Sequence, residues 1–332
     1  MKRVAVIGLG EIAKVHVPIL MQMPEVELCA VCDLREERGK LASGVPFYTD
    51  YHQMLAEQKP DCVHLCLPHW LHYPVAKDVV EAGINVFCEK PLALNAGQAR
   101  EFAKLEQDHP EVKIGLCLQN RYNETTEELL RIIQSGEEGA VTSVRASVVW
   151  ARSKSYYDAE PWRGKMETAG GGVMINQSIH TLDLMEYLGG EIATIRGNIC
   201  QLLDYGWVEV EDTASAHILY KNGAVGTFFA TVSHAVNTNV EIAVELEKSS
   251  YLIQDNKLYK INDGEKVQLA EDARLPGAKF YYGASHAKLI RIFYEDLEKG
   301  GRRYPCAADG VMSMRMIDAI RASSASGRPE EV

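Results

Sequence analysis

Along the first 120 residues, short runs that are apolar throughout alternate with stretches of helical periodicity. The apolar runs are Arg3–Ile7, Glu27–Cys32, Cys62–Leu67, Asn85–Cys88 and Lys113–Leu118. Between them the spacing predicts helices near Ile12–Met21, Arg35–Ala42, Tyr51–Glu57, Tyr73–Ala82 and Ala96–His109. Strands without polar alternation suit a parallel sheet covered on both faces. The β-α-β-α rhythm therefore predicts a doubly wound α/β domain of Rossmann type.

After residue 121 the pattern changes. A helix at Glu124–Ser135 leads to strand-like stretches at Val141–Ala151, Thr194–Gln201, Asp212–Tyr220, Ala224–Ser233, Val240–Leu246 and Tyr251–Gln254. Several alternate, as in Val240-Glu241-Ile242-Ala243-Val244-Glu245, which fits an antiparallel sheet with one solvated or partner-covered face. Asn222-Gly223 and Asp263-Gly264 are hairpin signals. Helices at Ala284–Lys299 and near Ala307–Ala322 close the chain, and the tail Ser323–Val332 is expected to fray. With 332 residues the chain exceeds one comfortable core. We divide it into residues 1–121 and 122–332.

Composition narrows the partners. A net charge of -11 argues against nucleic acid and against anionic membrane surfaces. No run approaches the roughly 20 apolar residues that span a bilayer. Met1-Lys2-Arg3 runs straight into a strand rather than a secretory leader, so the cytoplasm is the expected compartment. Of the eight cysteines, Cys29 and Cys32 have zinc-ligand spacing. Both lie in an apolar strand without a second Cys/His pair at suitable spacing, so they read as small hydrophobes and no metal is expected.

Candidate chemistry begins at Gly8-Leu9-Gly10-Glu11-Ile12-Ala13, which follows a strand and opens a helix. Gly8 permits a tight turn, Gly10 lets a pyrophosphate approach the backbone, and Ala13 allows close helix–strand packing. The helix N-terminus offers N–H groups to phosphates. Asp33 ends the second strand, 20 residues after Ala13. A carboxylate there can hydrogen-bond the adenosine ribose of NAD and repel the 2′-phosphate of NADP, so NAD is expected, with Arg35 and Arg38 nearby. The competing reading is that Asp33 caps the next helix.

Four segments together resemble the Gfo/Idh/MocA family of oxidoreductases. They are Gly8–Ala13 with Asp33, Leu67-Pro68 followed by His72, Glu89-Lys90-Pro91, and Gly170-Gly171-Gly172 running on to Ile179-His180-Thr181-Leu182-Asp183. The resemblance implies a Rossmann domain followed by an α/β domain with a large, mostly antiparallel sheet. It also implies assembly through that sheet, as homodimer or homotetramer, and a C-terminal helix (about residues 306–325) returning to the first domain. Leu67, Pro68, His72 and Glu89 would stand on the cofactor side. Many sugar and inositol dehydrogenases of this kind carry Asp four residues before the histidine, where this chain has Asn176. The form Asn-Gln-x-x-His looks like the subgroup that oxidises the C3 hydroxyl of pyranoses.

Oxidising a secondary alcohol removes a hydride and a proton, and two residues suit the proton. Lys90 ends a strand, where doubly wound folds bind ligands; desolvation would ease its deprotonation, and its bond to Pro91 is a candidate cis peptide. His180 titrates near neutrality and shares a predicted helix face with Asn176 and Asp183. Gln119, Arg121 and Tyr122, after the last Rossmann strand, suit a polyol or the nicotinamide amide. Trp162 and Arg163 offer a ring and a fork for sugar or cofactor. Tyr282 and His286, before or within a helix, are further candidates for substrate contact.

The function expected is an NAD-dependent dehydrogenase acting on a sugar, glycoside, nucleotide sugar or cyclitol. One alternative is a glycosidase that oxidises C3 transiently and eliminates the aglycone. Another is an NAD-binding regulator without catalysis, which would need neither Lys90 nor His180.

Overall fold

The computed structural model describes residues 1–273 and 284–332, so Tyr282 lies outside the described residues. The chain divides into two compact units, one of residues 1–117 and 286–311, the other of residues 118–285 and 312–332.

The first unit is built on a six-stranded parallel sheet. In chain order its elements are β1 (Lys2–Ile7), α1 (Ala13–Gln22), β2 (Val26–Cys32), β3 (Phe47–Tyr48), α2 (Tyr51–Gln58), β4 (Cys62–Leu65), α3 (His69–Glu81), β5 (Asn85–Cys88), α4 (Ala96–Asp108) and β6 (Ile114–Leu116). The strand order is β3-β2-β1-β4-β5-β6. It reverses between β1 and β4, the switch point at whose carboxyl edge doubly wound folds bind ligands. Val4, Val6, Val31, Val63, Leu65, Val86 and Phe87 are buried, which is why these strands read as continuous apolar runs. The stretch predicted as helix at Arg35–Ala42 is a 3-10 turn, Glu36–Ala42.

The second unit holds α5 (Glu124–Ser135), β7 (Val141–Val149), α6 (Lys154–Ala159), α7 (Met166–Ala169), α8 (Ile179–Gly189), β8 (Ile192–Cys200), β9 (Thr213–Tyr220), β10 (Val225–Thr231), β11 (Glu241–Leu246), β12 (Ser250–Gln254), β13 (Lys257–Asn262) and β14 (Glu265–Glu271). The chain closes with α9 (Ser285–Lys299), α10 (Asp309–Ser326) and β15 (Glu330–Glu331). The nine strands run β14-β13-β12-β11-β7-β10-β9-β8-β15, antiparallel except for the parallel pair β10–β7. Helix α8 packs on one face of the sheet, with the Tyr220 hydroxyl donating to the Met185 carbonyl at 3.0 Å. On β9 and β10 the other face carries exposed His217, Leu219, Val225, Thr227 and Phe229. Strands β13 and β14 escaped the pattern because their side chains are largely polar. Their turn at Asp263-Gly264 has positive φ at both positions, as the dipeptide requires.

Residues 286–311 belong to the first unit because they complete its edge. The Leu116 N–H donates to the Pro305 carbonyl at 2.7 Å, and Gly115 pairs with Cys306. A Cβ at Gly115 would stand 2.7 Å from the Phe293 ring, so α9 packs there only on glycine.

Two further expectations are corrected. Residues 173–189 are not one helix: Val173–Gln177 is a π turn, and α8 starts after Ser178. The Ser178 N–H and hydroxyl both donate to the Val173 carbonyl, at 2.9 and 2.8 Å, displacing the α-helical bond. The tail is not frayed. The Ser323 hydroxyl donates to the Arg328 carbonyl and accepts from the Gly197 N–H at 3.0 Å, and β15 pairs with β8.

Candidate active site

At the carboxyl end of β1 the chain turns through Gly8, whose φ is +90°. A Cβ there would meet the Cys66 carbonyl oxygen at 2.4 Å, so the turn is open only to glycine. At Gly10 a Cβ would come near only Arg38 Nη1, at 3.8 Å, which leaves that side of the loop clear for a ligand. Ile12 occupies the cap position of α1, Ala13 is wholly buried behind it, and Glu11 faces outward in an ion pair with Lys14. Asp33 Oδ1 accepts from the Arg35 N–H at 2.9 Å, but the cap position of the next turn, Glu36–Ala42, is Arg35 and carries no side-chain bond. Its Oδ2 accepts from the Leu9 N–H at 2.7 Å, with Arg38 Nη1 at 3.4 Å. The carboxylate is therefore tied to the glycine loop itself. A dinucleotide fits this loop.

Next along the same edge come the ends of β4 and β5. His72, buried on α3, stands with its ring nitrogens 2.8 Å from the Leu67 carbonyl and 2.6 Å from the Pro91 carbonyl. It ties Leu67-Pro68 to the segment after β5, where the Lys90–Pro91 bond is cis. Glu89 is buried. Burial alone would raise its pKa, but a hydrogen bond from His16 Nε2 at 2.9 Å, with the Lys90 charge beside it, holds the carboxyl well below its usual range. Lys90 is half-buried. Burial pushes its amine below the ordinary lysine value, and the Glu89 charge opposes that shift. His286 on α9 is also buried, 3.8 Å from Glu89, and burial lowers its pKa to about 4. The structure thus places His286 against the Glu-Lys-Pro segment.

In the second unit the junction residues gather around α8. The Gln119 side-chain amide lies 3.2 Å from His180 Nε2, which makes that nitrogen the acceptor. Arg121 grips Asp183 through two bonds, Nε at 2.9 Å and Nη2 at 2.7 Å, and lies 4.5 Å from the Tyr187 ring centre. Tyr122 ends the same short turn. Asn176, displaced by the π turn, donates its amide to the Tyr156 hydroxyl at 3.2 Å, as Gln177 does. Gln119 meets His180, while Arg121 engages Asp183 and Tyr156 engages Asn176. Arg163 lies over the rings of Tyr156 and Trp162, at 4.5 and 5.7 Å. The three glycines are used internally. A Cβ at Gly172 would fall 1.8 Å from the Glu211 carbonyl oxygen, and Arg321 Nη2 donates to the Gly170 carbonyl at 2.6 Å.

The sequence reading missed His16, His64, Tyr156 and Tyr294. For His16 and His64 a signal existed: each interrupts an otherwise apolar face or strand. Tyr156 carried none, since only the π turn brings the Asn176 and Gln177 amides to its hydroxyl.

A glycine turn at the switch point, a carboxylate tied to it and a lysine at a neighbouring strand end define a dinucleotide-dependent oxidoreductase. Comparison with known proteins agrees. The profile of an oxidoreductase family with an NAD-binding Rossmann fold matches residues 2–114, and its C-terminal domain profile matches residues 126–251. The chain belongs to the Gfo/Idh/MocA family of oxidoreductases and carries that family's NAD-binding Rossmann domain. It is 25% identical to the D-glucoside 3-dehydrogenase of Escherichia coli K12, over 99% of this chain and 97% of that one. It is 27% identical to the myo-inositol 2-dehydrogenase of Thermotoga maritima, over 68% and 66% of the two chains. The crystal structure of the WlbA dehydrogenase from Bordetella pertussis with NADH and UDP-GlcNAcA superposes with a TM-score of 0.87 at 26% identity, covering 99% of this chain and 98% of that one. Among the described residues no helix is long and apolar enough to cross a membrane.

Proposed function

We propose that the protein is an NAD-dependent dehydrogenase that oxidises a secondary hydroxyl of a sugar, glycoside, nucleotide sugar or cyclitol. The observation that carries this is Lys90: a half-buried amine with a lowered pKa, at the end of β5 in the NAD-binding unit. Such an amine takes the hydroxyl proton more readily than an exposed lysine. Bound NAD supplies the hydride acceptor. Asp33 selects NAD over NADP through its acceptor oxygens at the glycine loop. His180 is the second proton-handling group, its acceptor nitrogen held by Gln119, while Arg121 locks Asp183 and with it the face of α8. Asn176, Tyr156, Trp162 and Arg163 line the substrate side, where amides, a hydroxyl and rings suit a polyol.

Two relatives support the substrate class, one named for a glucoside and one for an inositol. The likeness to the glucoside enzyme spans the whole chain and favours oxidation at C3. The exposed face of β9 and β10 supports assembly into a dimer or tetramer through the sheet. To test the function, the purified protein is mixed with NAD and a panel of inositols, free hexoses, glycosides and sugar nucleotides, and NADH absorbance is followed. Stoichiometric NADH with one class is expected. Aglycone release without net NADH would replace this reading by the elimination reaction.

A further inference from the structure

Strand β4 reads Cys62-Val63-His64-Leu65, a strand of a covered parallel sheet with a histidine within it. Helix α1 buries a second, His16. Both rings are wholly buried, which is costly unless their nitrogens find partners. The partners form one line. The Tyr294 hydroxyl of α9 lies 2.8 Å from His64 Nε2, His64 Nδ1 lies 2.9 Å from His16 Nδ1, and His16 Nε2 lies 2.9 Å from Glu89 Oε1.

This line has a direction. A neutral imidazole carries one N–H and one lone pair, and an ionised carboxylate only accepts. His16 therefore donates from Nε2 to Glu89, and in the neutral ring its Nδ1 accepts. His64 then donates from Nδ1, leaving its Nε2 lone pair toward the Tyr294 hydroxyl, which the Cys62 thiol also contacts. Each proton points toward Glu89. The donor atoms of His16, Glu89, Cys117 and His286 lie within 4.8 Å of one another, and by type would suit a cation. The 2.9 Å contact between His16 and Glu89 is a hydrogen-bond distance.

We propose that Tyr294, His64 and His16 are positioning residues, a buried hydrogen-bonded line that keeps Glu89 ionised and so sets the protonation of the Lys90 amine beside it. This rests on the reading of Lys90 as the proton-handling group. Glu89 faces His16 from α1, His286 from α9, and the thiols Cys66, Cys88 and Cys117. Lys90 faces Glu89 and Cys117, with His72 and His286 in electrostatic reach. Burial pushes these thiols up, and pushes His64 and His286 down, so these stay neutral at pH 7; His72 is lowered by burial but held between two carbonyls that oppose the shift. The Glu89 charge is then the main counterweight to burial at Lys90.

The test needs no substrate. Trace acetylation across pH, read on the Lys90 peptide by mass spectrometry, gives the midpoint of its amine. Glu89→Gln should lower that midpoint by about one unit or more, the usual effect of losing an adjacent opposite charge. Tyr294→Phe should lower it less, in the same direction. Without the phenol proton, His64 is free to take the opposite tautomer, His16 follows, and Glu89 gains a proton. The double variant should match Glu89→Gln alone, because both act through one charge. A merely structural tyrosine would change the melting temperature and leave the midpoint in place.

An unmoved midpoint in either variant, additive shifts in the double variant, or stoichiometric zinc in the purified wild type would overturn the proposal. If Tyr294→Phe does not fold, His16→Phe, which removes the N–H given to Glu89, takes its place and should lower the midpoint in the same direction; an unmoved midpoint overturns the proposal. Turnover of Lys90→Met separates the two readings. If that variant is active, the role of Lys90 fails whatever the midpoints do; if it is inactive and the midpoints do not move, the line fails alone.

Discussion

At the residue scale, two side chains carry predictions that different assays separate. Lys90→Met keeps the length of the side chain and removes the amine. It should lower kcat by ~10²–10⁴, the usual worth of a positioned acid–base group, and leave NADH binding nearly intact. Loss of NADH binding in step with kcat, followed by fluorescence titration, would assign Lys90 to the cofactor instead. Asp33→Ala removes the acceptor held at the glycine loop by Leu9. NAD should bind roughly 10- to 100-fold more weakly, as for a lost hydrogen bond to a charged group, and the preference over NADP should narrow. A wild type that already prefers NADP in the same titration would reverse the argument about the ribose.

At the scale of elements, the β1–α1 turn is the sharpest case. Gly8→Ala places a Cβ 2.4 Å from a backbone carbonyl at a φ of +90°. Neither can relax cheaply, so the variant should lose about 1–3 kcal/mol, measured as a lower denaturation midpoint with an unchanged slope. A Gly8→Ala variant as stable as wild type would mean that the turn shifts readily. This turn was legible in the sequence because the glycine spacing states a local backbone requirement. The break between Val173–Gln177 and α8 was not. It depends on the Ser178 hydroxyl winning the Val173 carbonyl, and on Glu211, 39 residues ahead of Gly172, donating no space for a side chain there. A heptad-style count along one segment cannot register either.

For the whole molecule, the buried histidines set the response to acid. Burial pushes His64 and His72 below their ordinary value and His286 to about 4. In the unfolded chain each would take a proton near pH 6.5, so between that pH and the folded value the unfolded state binds more protons. Stability therefore rises with pH through this window and falls as pH drops from about 6.5 toward 4, by up to about 1.4 kcal/mol per pH unit for each histidine. Glu89, held low in the folded state, adds a loss only below its unfolded value near 4.3. Melting temperatures across pH 4–8 check this; a flat profile below pH 6.5 would show that the buried rings are protonated in the native state.

The sequence alone determined the doubly wound sheet, the glycine loop with Asp33, the strand end carrying Lys90 and the presence of a second, alternating sheet. These follow from short-range facts: which positions are apolar, where glycine is needed, which residue ends a strand. Only the tertiary structure decided that residues 286–311 complete the first sheet and that β15 orders the tail. It alone brought Gln119 to His180, Arg121 to Asp183 and Tyr156 to Asn176. It alone aligned Tyr294, His64 and His16 on Glu89, because a hydrogen bond between residues 230 positions apart leaves no periodic trace in the chain.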